Sequence, residues 1–372
     1  MIYLDSNATT NLDSQVLYAM MPYLTDQYAN PNSSHSFGLS AREAVEKARA
    51  SIARHINAQP HQIYFTSGAS ESNNTFLKGL WARKRHANTS KLLIFTSIIE
   101  HPSILNTVKY LCEFDPNLEH TKINVDEMGA LSDFDATGSL TCSVHAANNE
   151  IGTLYDLAAL GSRCKSLGVL FHTDATQAIG KIPIDVESQC IDALSFSGHK
   201  LNGPKGIGAL YLRDESLIEL LIHGGLQEGI RSGTLNVPGI IGLAKALDLT
   251  VAFDWNKIRI LRDRLLALLQ AKIPDLIING GMTNRLPNNL NISIPGIKSE
   301  VFTKGMNDII VSAGSACKSG NSRISDVLLA IGSKYPECAV RFGLGKNTTE
   351  DDIDYAAHRI ISIVKAIRTN RK

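Results

Sequence analysis

The sequence predicts an α/β protein whose larger part is built on a mainly parallel sheet. Three observations predict it. Short apolar runs alternate with helix-period segments through roughly the first two-thirds of the chain. The 372 residues are 44% hydrophobic and 20% charged, the balance of a globular chain with room for two ordinary domains or one large one. No repeat or low-complexity segment interrupts the alternation.

In order, apolar runs at 62–66, 91–96, 140–146, 169–173, 193–196 and 208–212 read as strands. Helix-period segments lie between most of them, among them 41–56, 71–85 and 157–167. The pattern changes after about residue 254. Helices at 255–270 and 325–332 then flank short strands at 291–294 and 339–343. A final helix, 349–367, opens on Thr348-Thr349-Glu350-Asp351, which places acids where the helix dipole favours them. The expected division is a large domain at 13–254 and a smaller α+β domain made of 1–12 and 255–372.

Composition excludes several classes. Lys+Arg number 37 and Asp+Glu 36, so no net charge is available to coat nucleic acid or an anionic membrane. The N-terminus lacks the charged-then-apolar run of a signal peptide, and the apolar stretch at 239–253 is broken by Lys245 and Asp248. The six cysteines (Cys112, Cys142, Cys164, Cys190, Cys317 and Cys338) form no C-x-x-C pair, which argues against a structural zinc site and fits a reducing, cytoplasmic setting. Cys142, Cys164 and Cys190 lie in or beside apolar stretches and read as small buried hydrophobes. The two commonest nucleotide-binding glycine loops are absent, so the strand ends, where such folds bind ligands, need another occupant.

Four strand ends carry polar clusters. Thr66-Ser67-Gly68-Ala69-Ser70-Glu71 joins a strand to a helix, with small residues that let backbone N–H groups approach an anion. Asn148-Asn149-Glu150-Ile151-Gly152 ends another strand. His172-Thr173-Asp174-Ala175-Thr176-Gln177 sets a carboxylate after an apolar strand, where it must find a cation or donors. Ser195-Phe196-Ser197-Gly198-His199-Lys200 sets an amine among small residues. Alone, each has an ordinary explanation: an N-cap, a turn, a capping Asp, a solvated lysine. Together they supply what pyridoxal 5′-phosphate (PLP) needs. Lys200 is the Schiff-base amine, Asp174 is the carboxylate opposite the pyridine nitrogen, and the Ser70 turn is the phosphate cup.

The chain resembles the cysteine desulfurases, the NifS/IscS-like group of the class-V aminotransferase PLP superfamily. The resemblance runs over nearly the whole chain. It is carried by segment 3–10, Asn30-Pro31-Asn32-Ser33-Ser34-His35, the 66–71 turn, Glu100-His101, the 148–152 and 172–177 segments, Ser195–Lys200, Arg231-Ser232-Gly233-Thr234, Gly314-Ser315-Ala316-Cys317 and Arg341-Phe342. It implies aminotransferase fold type I. It also implies roles. Lys200, His101 and Cys317 would be catalytic, with His101 stacked on the ring. Ala69, Ser70, Ser197 and His199 would hold the phosphate, and Gln177 and Asn149 would approach the ring hydroxyl. Arg341, with Asn149, would take the substrate carboxylate. Thr234 would reach the neighbouring subunit's phosphate, which implies a homodimer. The implied reaction removes sulfur from L-cysteine, giving L-alanine and a persulfide on Cys317. The persulfide then goes to an acceptor protein of iron–sulfur assembly, tRNA thiolation or DNA phosphorothioation. DNA itself would not be a ligand.

Cys317 is favoured over the other thiols by its surroundings. Segment 312–322 is small, polar and glycine-containing, the composition of a mobile exposed loop, and Lys318 would lower the thiol's pKa. Two departures from the family pattern stand out: Ser70 where Thr is commoner, and a segment after Cys317 about one residue shorter, Asn321-Ser322-Arg323-Ile324-Ser325 in place of a run with Glu-Pro-Ser. The alternatives are another PLP reaction on the same fold, a selenocysteine lyase or an aminotransferase, and a non-catalytic sulfur-relay scaffold.

Overall fold

The computed structural model describes residues 1–85, 91–225, 229–313 and 324–370. In chain order the elements begin with β1 (Ile2–Tyr3), α1 (Ser14–Thr25), α2 (Ser36–His55), β2 (Ile63–Thr66) and α3 (Ala69–Arg85). Next come β3 (Leu92–Ser97), α4 (Pro102–Phe114), β4 (Leu118–Ile123), β5 (Thr141–Ser143), α5 (Leu157–Ser166), β6 (Leu170–Asp174), β7 (Ala193–Ser197) and β8 (Gly208–Leu212). The remainder is α6 (Val237–Val251), α7 (Trp255–Gln270), β9 (Ile277–Ile278), β10 (Asn289–Ser293), α8 (Glu300–Gly305), β11 (Ile309–Ile310), α9 (Asp326–Ala330), β12 (Ala339–Gly343) and α10 (Glu350–Thr369).

The large sheet has the order β2-β8-β7-β6-β5-β3-β4. Only β8 runs against its neighbours; every other pairing is parallel. Parallel strands need both faces covered, and β8 shows how. Ala209 and Tyr211 enter one core with α1, α2, α5 and α6, while Leu210 and Leu212 enter another with α3 and α4. The period-2 alternation thus serves two apolar faces instead of one. A third core gathers Leu4 with residues from α7, β10, β12 and α10 around a three-stranded sheet of order β12-β10-β9.

The α/β class and mainly parallel sheet stand as expected, with local differences. β4, Leu-Glu-His-Thr-Lys-Ile, has no continuous apolar run because it is an edge strand with half its residues turned outward. α2 begins five residues before the expected 41, because His35 caps it by accepting from the Gly38 amide at 3.1 Å. The expected strand at 140–146 is confined to Thr141–Ser143. Cys142 and Cys164 are buried as expected, whereas Cys190 is half-buried with φ at 51°. It occupies a left-handed turn whose local geometry, not its apolar neighbours, decides its exposure. No helix among the described residues is long and apolar enough to cross a membrane.

Parallel pairing sets the functional edge. The register aligns Asp174 with Ser195, Ser197 with Gly208, and Gly208 with Thr66. The ends of β2, β6 and β7 therefore meet at one side of the sheet, beside the start of α3.

Candidate functional site

Asp174 ends β6 and is 7% exposed. Its Oδ2 accepts from Asn73 Nδ2 at 2.8 Å and its Oδ1 from the Thr176 amide at 3.0 Å. Burial alone would raise its pKa, but the nearby His101 ring and these hydrogen bonds outweigh it and hold the carboxyl below its ordinary value. Asp174 is therefore a buried anion with donors around it.

His101 caps α4. Its Nδ1 accepts from the Ser103 amide at 3.1 Å and lies 2.8 Å from Ser103 Oγ. Burial lowers its pKa; the charges of Asp174 and Glu100 pull upward, those of Lys200 and His145 downward. Lys200 closes a single 3-10 turn, Gly198–Lys200, directly after β7. Its Nζ donates to the carbonyls of Asn7 at 2.5 Å and Ala8 at 2.6 Å. A buried carboxylate, an imidazole and an amine thus meet at the sheet edge through three separate elements.

The remaining expected residues divide into groups. Ala69 and Ser70 open α3, where helix geometry leaves backbone N–H groups without intrahelical partners. Gly68 before them has φ at 152°, and a side chain there would reach Ser197 Oγ at 3.4 Å, so the helix start and the end of β7 are in close approach. His199 lies 3.1 Å from Thr9 Oγ1 through its Nδ1, and burial together with Lys200 and Lys205 pulls its pKa down to about 4. Gln177 is buried and exchanges two hydrogen bonds with Asn7: its Nε2 donates to the Asn7 carbonyl at 3.0 Å, and its Oε1 accepts from Nδ2 at 3.3 Å.

Arg341, in β12, is 1% exposed. Its Nη2 donates to Asp5 Oδ1 at 2.9 Å and its Nη1 to the Asn149 carbonyl at 3.2 Å. The pair Arg341–Asn149 expected at a carboxylate is thus together, but with Asp5 already on the guanidinium. Thr234 is exposed. The segment before it is tied to α3 by Arg231 Nε, which donates to Glu71 Oε1 at 2.9 Å. Cys317 lies outside the described residues.

Sequence reasoning missed Asn7, Asn73, Ser103 and Asp5 as site residues. Asn73 is one helical turn beyond Ser70, so helix periodicity was the available signal for it. Its partner Asp174 is 101 positions away, and no local pattern announces that contact.

The class-V aminotransferase family matches residues 2–356, and members of this family are PLP enzymes. The cysteine desulfurase IscS of Rickettsia akari is 41% identical over 99% of this chain and 92% of its own length. Among solved structures, a NifS-like protein superposes with a TM-score of 0.88 at 35% identity, covering 98% of this chain and 99% of its own. SspA in complex with cysteine gives 0.81 at 34% identity, covering 94% and 100%. The chain belongs to the class-V aminotransferase family and, within it, to the NifS/IscS-like cysteine desulfurase group.

The residues present suit PLP. A buried, deprotonated carboxylate fits a pyridinium N–H, a primary amine at the adjoining strand end fits an aldehyde, and a helix N-terminus beside Ser197 fits a phosphate.

Proposed function

We propose that this protein is a PLP-dependent cysteine desulfurase that moves sulfur from L-cysteine to its own Cys317. One observation carries the reading: Asp174 is the last residue of β6 and Lys200 closes the turn after its parallel neighbour β7, and the His101 ring senses the charge of both. Support for cysteine as substrate comes from the IscS relatives and from the likeness to SspA solved with cysteine.

When bound, PLP supplies an electron sink for the substrate's Cα and so makes its β-sulfur labile. The protein's part is positioning and proton transfer. Lys200 would hold the cofactor's aldehyde in the resting enzyme and serve as the base for the substrate's Cα proton. Asp174 keeps the pyridine nitrogen protonated. Ala69, Ser70, Ser197 and His199 take the phosphate. Gln177 and Asn149 face the ring hydroxyl. Arg341, with Asn149, takes the substrate carboxylate through its planar donor fork. His101 would stack on the ring and assist proton movement there. The Cys317 thiolate would attack the substrate's sulfur, forming the S–S bond as the Cβ–S bond breaks with its electron pair left on carbon; protonation there gives alanine, and an acceptor protein then collects the persulfide sulfur. We read 13–254 as the cofactor domain and 1–12 with 255–372 as the thiol-bearing one, because Leu4 packs in the core of the latter. A homodimer, with Thr234 serving the neighbouring subunit, and a cytoplasmic setting complete the proposal.

The test is a pair of variants. Lys200→Ala should purify without the yellow, borohydride-bleachable chromophore of the parent. Cys317→Ser should keep the chromophore yet lose persulfide formation and sulfide release from cysteine. An aminotransferase would retain turnover in the serine variant, and a colourless parent unable to take up PLP would sink the proposal.

A further inference from the structure

His101 is one end of a hydrogen-bond chain that reaches Asp174 without passing through the cofactor site. Asn73, buried on α3, spans the gap. Its Nδ2 donates to Asp174 Oδ2 at 2.8 Å and to Ser103 Oγ at 2.9 Å. An amide nitrogen carries two protons, and this one uses both. The amide cannot be turned over, because its oxygen would then face a carboxylate that only accepts.

The direction of every other bond follows. Ser103 Oγ accepts from Asn73 and lies 2.8 Å from His101 Nδ1; because the Ser103 amide fixes Nδ1 as an acceptor, the hydroxyl is the donor of that pair. The Ser103 amide, at 3.1 Å, also donates to Nδ1 and cannot accept. Nδ1 is therefore met by two donors and carries no proton of its own. The proton of the neutral ring is on Nε2.

We propose that Ser103 and Asn73 are positioning residues that hold His101 as the neutral Nε2–H tautomer. His101 then serves the reaction as a hydrogen-bond donor from Nε2, and its Nδ1 takes no part. In a buried ring, two donors on one nitrogen also oppose formation of the imidazolium. The charged groups facing His101 are Asp174 and Glu100, which favour the cation, and Lys200 and His145, which oppose it. None of these changes when Ser103 is altered, so a serine variant isolates the hydroxyl. Ser103 is only partly buried, and loss of one oxygen there leaves α4 intact.

The consequence for catalysis rests on the PLP reading, but the tautomer does not. The experiment is histidine-selective ¹⁵N NMR on the full-length protein, with and without PLP, for the parent, Ser103→Ala and Ser103→Thr. The parent should show a pyridine-type Nδ1 and a pyrrole-type Nε2 for His101 in both states. Ser103→Ala should raise the His101 titration midpoint by roughly one pH unit, the size expected for losing one hydrogen bond to the neutral form. Ser103→Thr, which keeps the hydroxyl, should restore it. In the loaded enzyme the acidic limb of kcat should move upward with the midpoint. A protonated Nδ1 in the parent, or a midpoint unmoved in Ser103→Ala, overturns the proposal. The cofactor-free NMR result stands whatever happens to the PLP reading, so the two can fail separately.

Discussion

Asp174 is the residue at which one atom changes most. Asp174→Asn keeps the shape but has one acceptor oxygen in place of two, so it keeps the bond from Asn73 or the bond from the Thr176 amide and loses the other, at a cost of about 1–3 kcal/mol that the fold should survive. What disappears is the anion that faces His101 and, in the proposed reaction, the pyridine nitrogen. Desulfuration should fall on the order of 10²- to 10³-fold, as for loss of one preorganised electrostatic partner, with only a modest drop in Tm from the lost hydrogen bond. Alanine formation from cysteine measures it. Asp5 is the second such residue. It holds the guanidinium of the buried Arg341, and breaking a buried ion pair from one side costs about 3–5 kcal/mol. Asp5 retains some solvent contact, so Asp5→Asn should lie toward the low end, about 3 kcal/mol by urea unfolding. Saturating L-alanine should then raise Tm more in the variant than in the parent, because its carboxylate meets an Arg341 that has lost its anion.

At the scale of elements, the N-terminal arm, β12 and the turn after β7 form one joint. Lys200 reaches the carbonyls of Asn7 and Ala8, and Asn7 lies against Gly343 at the end of β12. A methyl at Gly343 would press on Asn7 Oδ1 and the Asn7 backbone nitrogen, and would stand 2.9 Å from the Ser6 nitrogen. Gly343→Ala should therefore destabilise by about 1–3 kcal/mol. It should also loosen PLP retention, because the arm that holds Lys200 must shift. Gly138→Ala is the control: it meets nothing within 4 Å and carries only backbone strain from φ at 76°. It should leave PLP retention unchanged. These contacts also mark what sequence could and could not give. The strand ends bearing Asp174 and Lys200 were legible, because an apolar run followed by a polar residue is a local pattern. The short-range cap that His101 makes by accepting from the Ser103 amide was within reach of the same reasoning. Arg341 on Asp5 and Asn7 against Gly343 were not, since each joins residues 336 positions apart that only the fold brings together. Edge strand β4 escaped because partial exposure removes the apolar run on which the reading depends.

For the whole molecule, the same burial that shapes the site makes stability depend on pH through histidine. His172 is fully buried between Ser143 Oγ and Ser195 Oγ and stacked on Phe76; burial pulls its pKa down to about 4, with Asp174 opposing. His120, bonded to Thr96 Oγ1, and His199 are also pulled to about 4, in each case by burial first and by neighbouring lysines second. In the unfolded chain each titrates near 6.5. The sign follows from linkage. Between about pH 6.5 and 4 the unfolded state holds protons that the folded state refuses, so stability is greatest at the upper end of this window and is lost as pH falls through it. Asp174 acts later: its depressed pKa adds stability that disappears only below the ordinary carboxylate range. Unfolding free energy should thus decline well before carboxylates titrate, with a slope near pH 5 approaching three protons taken up per molecule unfolded. Urea titrations at half-unit pH steps measure that slope. A stability flat from pH 6.5 to 4.5 would mean that these three rings are solvated in the folded protein, and that the sheet edge carrying Asp174 and Lys200 is wetter than its packing requires.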